Sequence, residues 1–383
     1  MKILLLSYSP WPSATRMPRE LGNAGFEVHV LATSFSLITY SHDIHSTTEL
    51  RDPFNHEGLL PVIQQEIERL RPRLILPVDE ISVELLERLF VLLRETSQDS
   101  YSFRCLQRSL FIEARIGEIR SKQAIRDISE SCGIRVPAHR ICETAEEVIE
   151  AVKHDPELSS DGHTIVLKAD METGGTAVRI CRSEQQIRMA FDHVTWYVRE
   201  YNIPNRHVVA ERYINGQEVL HPLACLDGAV LADFSLDVLE RHPREIGPSS
   251  VVRIASYPEI DRICQRFCRK MNFTGFCSFD MIVEAHSGLA YLVDFNPRQV
   301  SMLHLGSLAK RNLYQSFYNA LAGLPMPTSV TKPFTDTIAL FPQELVRDPQ
   351  SPYLKGYHDV PWEEPHLVES LAKSQHIPVP TRT

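Results

Sequence analysis

The chain has 383 residues, 43% of them apolar and 23% charged, with a net charge of −9 and eight cysteines. That length has room for two or three domains, and the acidic balance argues against nucleic acid or an anionic membrane as the main partner. No apolar run approaches the roughly 20 residues needed to span a bilayer.

The opening run Met1–Tyr8 is too short for a signal peptide and lacks a small-residue cleavage site. It reads as the first buried strand of an α/β sheet. A helix over Thr15–Ala24 and a strand over Glu27–Ala32 follow, then a helix over Leu60–Leu70, a strand over Leu74–Val78 and a helix over Ser82–Arg94. This alternation predicts a small doubly wound parallel sheet across residues 1–112. The turn Ser7–Ser13 holds two prolines and no glycine, which argues against a dinucleotide-binding Rossmann domain. Asp79 and Glu80 stand at the carboxyl end of their strand, where ligands collect on such sheets. They can receive a substrate amino group or simply face water.

A basic amphipathic helix is expected around Ile116–Cys132, with Arg115, Arg120, Lys122 and Arg126 as its basic residues. Thr144–Lys153 is a helix with Thr144 and Glu147 as its start signal. Strands are expected at Thr164–Ala169, Thr176–Cys181 and Val208–Ile214, with a helix over Ser183–Val198. Two strands around the Asp227-Gly228 turn cover Glu218–Leu236, and Pro258–Met271 and Leu303–Leu321 are helical. Beyond Pro325 the chain is proline-rich and reads as a tail wrapping the surface. None of the eight cysteines forms a CxxC pair, and Cys264 and Cys268 lack a His or further Cys to complete a zinc set. They read as reduced packing residues of a cytoplasmic protein.

The sharpest local signal is the hairpin Phe279–Phe295. A loop at 286–288 pairs positions so that Asp280 faces Asp294, with Cβ atoms roughly 5 Å apart. Asn296 and Arg298 follow on the same face by period-2 alternation. Two carboxylates, an amide oxygen and a guanidinium together predict a hard-oxygen Mg²⁺ (or Mn²⁺) site with a phosphate-binding arginine beside it, the alternative being an edge hairpin with solvated charges. Three other features are ambiguous alone. Lys168, at a strand end before Gly174-Gly175-Thr176, suits a phosphate under a glycine loop, or a solvated lysine beside an ordinary turn. Glu211 to Glu218 suits an adenine- and ribose-reading linker, or a turn with solvated glutamates. Lys122 is a phosphate contact or part of a solvated helix face.

In this order and at these spacings, Lys122, Lys168 with its glycine loop, Glu211–Glu218 and Asp280/Asp294/Asn296/Arg298 resemble the ATP-grasp superfamily, of carboxylate–amine ligase and carbamoyl-phosphate-synthase type, over roughly residues 116–322. The resemblance implies a pre-grasp α/β domain (1–112), a central lid subdomain (113–212), a C-terminal subdomain with the metal site (213–330) and an extended tail (331–383). It also implies roles. Lys122 and Lys168 contact ATP phosphates, and Gly174, Gly175 and Thr176 cover them. Glu211 and the backbone of Arg212, Tyr213 and Ile214 read adenine, and Glu218 binds ribose. Asp280, Asp294 and Asn296 hold Mg²⁺, and Arg298 and Lys168 act at the transferred phosphoryl group. Two departures stand out. Both metal carboxylates are aspartates where the superfamily more often has glutamates. Ser278 occupies a position where some peptide-forming relatives carry an arginine, which makes Arg253 a candidate replacement. The implied activity is an ADP-forming ligase joining a small-molecule carboxylate to an amine. A bicarbonate-using enzyme of carboxylase or carbamoyl-phosphate type and a non-catalytic ATP sensor are the rivals. Relatives of this kind are often homodimers.

Overall fold

The structure is a computed structural model and describes residues 1–109, 119, 121–159, 164–169, 175–200, 207–327 and 335–382. Four parallel strands, β1 (Lys2–Ser7), β2 (Glu27–Ala32), β3 (Ser46–Glu49) and β4 (Leu74–Pro77), form the first sheet in the order β3-β2-β1-β4. Ile3 and Leu5 enter one core while Leu4 and Leu6 enter another, so the sheet is buried on both faces. Around it lie α1 (Met17–Ala24), α2 (His56–Leu70), α3 (Glu80–Thr96) and α4 (Tyr101–Ser109). The doubly wound arrangement is as expected. Helices α2 and α3 start earlier than their apolar periodicity, because Asn55 and Asp79 cap them by accepting the Gly58 and Ser82 N–H groups.

Helix α5 (Lys122–Ser131) begins where the Ser121 hydroxyl accepts the Ala124 N–H at 3.2 Å. The rest of the expected basic helix, with Arg115 and Arg120, lies outside the described residues. A second, antiparallel sheet comprises β5 (His139–Cys142), β6 (Ile165–Ala169), β7 (Val178–Cys181) and β8 (Val208–Arg212), ordered β5-β8-β6-β7. Helices α6 (Ala145–His154) and α7 (Glu184–Glu200) bury their apolar stripes against it. At the start of α6, Thr144 accepts the Glu147 N–H, and the Glu147 carboxylate accepts the Glu143 N–H in return.

The third sheet is the largest. It contains β9 (Gly216–Leu226), β10 (Ala229–Asp233), β11 (Ser235–Arg241), β12 (Ser249–Ala255), β13 (Gly275–Glu284), β14 (Ala290–Asn296), β15 (Thr337–Leu340) and β16 (Tyr357–Asp359). The order is β14-β13-β9-β11-β12-β15-β16, with β10 also beside β9. Helix α8 (Pro258–Met271) covers one face, packing Ile263 and Phe267 over Leu223 and Phe279. The first sheet and α9 (Leu313–Ala322) cover the other, where Leu5, Val28 and Leu76 share a core with Leu220, Ala224, Phe276 and Phe317. Asp227 and Gly228 both adopt positive φ, 49° and 78°, which is the turn a two-residue hairpin needs. No helix among the described residues is long and apolar enough to cross a membrane.

Three expectations need correction. The helix expected over Leu303–Leu321 is a 3₁₀ turn, Leu303–Ser307, followed by α9. Between them Lys310 turns to φ 60°, and Asn312 caps α9 by accepting the Gln315 N–H. Residues 335–382 are not an extended tail: β15 pairs with β12, β16 pairs with β15, and α10 (Gln343–Arg347) and α11 (Pro365–Ser374) follow them. Strands of four and three residues are too short to show a period, and their partners are remote. The hairpin does place Asp280 opposite Asp294, but by another route. The loop is longer, since Val283 already pairs with Ala290, and a bulge at Val293 shifts the register by one before Asp294.

Candidate active site

A cleft of about 1290 Å³ opens where the three sheets meet. The β13–β14 pair lays Asp280, Asp294 and Asn296 along its floor, and residues from α5, β6, β8, β11 and the first sheet's rim line its walls. Asn296 donates to Asp280 Oδ2 at 3.2 Å, and its amide oxygen accepts from Arg298 Nη2 at 3.3 Å. Burial first, and Asp294 second, push the Asp280 carboxyl up to about 7. Burial also acts on Asp294, but Lys122 and Lys168 outweigh it and hold that carboxyl below its ordinary range. Lys122 Nζ lies 3.0 Å from Asp294 Oδ1. A half-buried pair of facing carboxylates, one of them strained toward protonation, is a donor set that fits a hard divalent cation such as Mg²⁺ or Mn²⁺. Asn296 would join it by turning its amide oxygen toward Asp280.

Lys168 projects from β6 into the same cleft, where its Nζ lies 2.7 Å from Glu211 Oε1 and 3.3 Å from the Val293 carbonyl. That carbonyl belongs to the bulged residue of β14, so the register shift supplies the contact. Burial lowers the Lys168 pKa, and Glu211 opposes this. Arg126 Nη2 takes the other Glu211 oxygen at 2.5 Å. All three side chains are buried. Each Glu211 oxygen is thus engaged by a cation, and Glu211 lines the cleft wall beside Lys168. Alternation along β8 turns Glu211 toward β6, and Arg126 reaches it from α5, a contact that the basic helix reading did not contain.

The linker after β8 behaves differently. Arg212 sends its side chain to Glu284 at 2.7 Å and over the Tyr291 ring, and with Tyr213 and Ile214 it lines the cleft. Val166, Val178 and Ile180 on one side, with Leu220 and Ile282 on the other, give an apolar slot beside that linker suited to a planar base. Glu218 lines the cleft in an ion pair with Arg241 of β11. Gly175 has φ 73°, and a Cβ there would sit 2.5 Å from the Ile246 carbonyl, so the lid approaches the β11–β12 loop as only glycine can. Thr176 is exposed and is not among the cleft-lining residues, while Gly174 lies outside the described residues.

Arg298 donates through Nε to Glu80 at 2.6 Å, joining the metal hairpin to the first sheet's rim. Asp79 is committed elsewhere: it accepts the N–H groups of Tyr8, Ser9 and Ser82, so it is not free for a substrate amine. Arg253 also lies away from the cleft. It bonds Asp237 at 2.7 Å and is about half-exposed. Arg241 does line the cleft, ion-paired with Glu218. Burial lowers its pKa and Asp280 opposes that shift, while Arg298 and Lys122 are the cations that act on Asp280. Ser278 lines the cleft with its buried hydroxyl unpartnered among the described residues. The only sequence trace of Arg241 is its place before the His242–Pro248 loop; its nearness to Asp280 depends on β9 lying between β11 and β13.

Residues 121–306 match the family described as carbamoyl-phosphate synthase L chain, ATP binding domain. No curated protein matches the sequence. Among solved structures, the chain is similar to the biotin carboxylase domain of 2-oxoglutarate carboxylase from Hydrogenobacter thermophilus, at 16% identity and TM-score 0.64 over 85% of this chain and 71% of that one. It is similar to N5-carboxyaminoimidazole synthetase from Staphylococcus aureus, at 14% and 0.59 over 87% and 81%. It is also similar to L-amino acid ligase from Bacillus licheniformis, at 15% and 0.57 over 83% and 74%. The fold is that of these proteins, and residues 121–306 belong to the ATP-grasp superfamily.

Proposed function

From this ATP-grasp domain we propose that the protein is an ADP-forming ligase that phosphorylates a small-molecule carboxylate and joins it to an amine. The observation that carries the reading is the convergence, in one cleft, of the facing Asp280/Asp294 pair with Lys122, Lys168 and Arg298. Asp280, Asp294 and Asn296 would hold Mg²⁺, which when bound neutralises phosphate charge. Lys168, kept in place by Glu211 and the Val293 carbonyl, clamps the phosphates of ATP, and Lys122 adds a second contact. Arg298 faces the γ-phosphate region and orients the attacking carboxylate. The bond between the β–γ bridging oxygen and γ-phosphorus breaks as the carboxylate oxygen bonds to phosphorus, giving ADP and an acyl phosphate. The amine then attacks the acyl carbon, and phosphate leaves. Closure of the Gly175 segment over the β11–β12 loop excludes the water that would hydrolyse the intermediate.

A second reading takes bicarbonate as the phosphorylated carboxylate. It is favoured by the Asn296-Pro297-Arg298 motif on the cleft floor and by the structural neighbour whose complex contains bicarbonate. The test is ADP release with Mg-ATP and hydroxylamine, with pooled carboxylates and bicarbonate in separate wells. ADP with a hydroxamate from the pool supports the ligase. ADP formed only with bicarbonate moves the assignment to the second reading. Tight Mg-ATP binding with no ADP in any well would point to a non-catalytic sensor.

A further inference from the structure

On the opposite face of the same sheet lies a cluster unrelated to the cleft. His221 of β9, Asp233 at the end of β10 and Asp261 in the first turn of α8 each offer one ligand atom, and these atoms all lie within 4.8 Å of one another. His221 is fully buried, and its Nε2 has no hydrogen-bond partner among the described residues although Asp233 Oδ2 is 3.6 Å away. Its Nδ1 lies 2.9 Å from the Ser235 hydroxyl. With Nδ1–H donating there, the Nε2 lone pair points at two carboxylates.

The cluster has no counter-charge in contact. Among the described residues no arginine or lysine forms an ion pair within 4.0 Å of Asp233 or Asp261; Arg311 and Arg262 act on Asp261 without such contact. Burial, and then Asp233, raise the Asp261 pKa. A buried lone pair facing two carboxylates with no arginine or lysine in contact is a poor arrangement for a packed protein and a good one for a cation. Access exists: a separate cavity of about 440 Å³, whose lining includes Asp233, Ser307, Lys310, Arg311 and Asn312, opens beside the cluster.

We propose that His221, Asp233 and Asp261 form a second metal site, for a divalent transition ion of the zinc type, distinct from the Mg²⁺ site. One imidazole nitrogen and two carboxylate oxygens suit Zn²⁺ and leave a fourth position for water. Bringing donors that span up to 4.8 Å onto one ion needs only side-chain rotation in the two aspartates, which are partly exposed. The ion ties β9, β10 and α8 together. His221 pairs in register with Phe279, one residue from the Leu220–Asp280 pair, so it braces the strand behind the cleft floor.

The test uses the untagged full chain, stripped with chelator and titrated calorimetrically with ZnCl₂ in excess MgCl₂. One zinc should bind per wild-type chain, and none to Asp261→Asn. Cobalt in place of zinc should give visible ligand-field bands that the same substitution removes. With zinc a hundredfold above its dissociation constant, mass action over a chain of this length should raise the wild-type melting midpoint by about 3 °C. The Asp261→Asn midpoint should not respond to zinc. Without metal, Asp261→Asn should melt no lower than wild type, because it removes repulsion, which separates lost ligation from failed folding. Zinc binding that survives Asp261→Asn, is absent in excess Mg²⁺, or is lost in Asp280→Asn instead would overturn the proposal.

Discussion

Glu211→Gln tests the internal logic of the cleft. The Glu211 carboxylate sits 2.7 Å from Lys168 Nζ and 2.5 Å from Arg126 Nη2, and all three groups are buried. Glutamine keeps the shape and removes the charge, leaving two cations with no anion between them. Breaking a buried pair in this way costs about 3–5 kcal/mol. Burial already lowers the Lys168 pKa, and Glu211 is the first of the groups opposing it, so the variant's lysine will lose its proton more readily. Loss of a charge-assisted hydrogen bond to phosphate is worth about 1.5–3 kcal/mol, or roughly ten- to hundredfold in ATP affinity. Because Lys168 must be protonated to bind phosphate, the deficit should grow with rising pH. Calorimetric titration with ATP and with adenosine decides the matter. If Glu211 positions Lys168, ATP weakens and adenosine does not. Equal losses for both ligands would mean that the carboxylate reads the base, and the positioning argument would fail.

Asp280→Asn should stabilise the metal-free protein. The folded pKa of about 7 exceeds the ordinary 3.8, so ionised Asp280 is a cost that is absent below pH 4 and complete above pH 7. The shift of about 3 units bounds the gain at about 4 kcal/mol before solvent screening reduces it, while Mg²⁺-dependent ADP formation should fall at least a hundredfold; thermal melts without metal at pH 8 check the sign. Arg241→Ala should lower turnover by about ten- to a hundredfold while Arg253→Ala leaves it within twofold, since removing one charged hydrogen bond costs about 1.5–3 kcal/mol; steady-state kinetics showing the reverse order would return the role to Arg253. Asp359 lies 2.7 Å from His304 Nε2 and 3.4 Å from Arg16, and although burial pushes its carboxyl up, these two neighbours hold it below 3.8. Its contribution is therefore present above that value and lost as pH falls further. Asp359→Asn should cost about 3–5 kcal/mol at pH 7, with the deficit shrinking below pH 4 in urea melts; a deficit independent of pH would show that the charge is irrelevant.

Much of the candidate site was legible because it is local. Asp280, Asp294, Asn296 and Arg298 lie within one hairpin, where alternation and turn chemistry determine which side chains share a face. Even there the bulge at Val293 went unread, because nothing in a valine's identity marks it as the extra residue. Lys168 was legible as a strand-end lysine, but its partners were not. The Arg126–Glu211–Lys168 chain joins a helix to two strands, and sequence alone left Glu211 free to read a base. Asp79 looked available at the end of β4 until its three backbone donors were seen.

The sequence by itself determined the alternation of the first domain, the helix capped at Thr144, the Asp227-Gly228 turn and the facing aspartates. Each follows from a period of 2 or 3.6 residues or from a backbone preference that near neighbours dictate. Only the tertiary structure decided that β15 and β16 complete the large sheet, that Arg241 and not Arg253 lines the cleft, that Glu80 holds Arg298, and that His221, Asp233 and Asp261 converge. These depend on the lateral order of strands remote in sequence. That order is selected by the total apolar area the sheets bury between them, a property that no short window of residues contains.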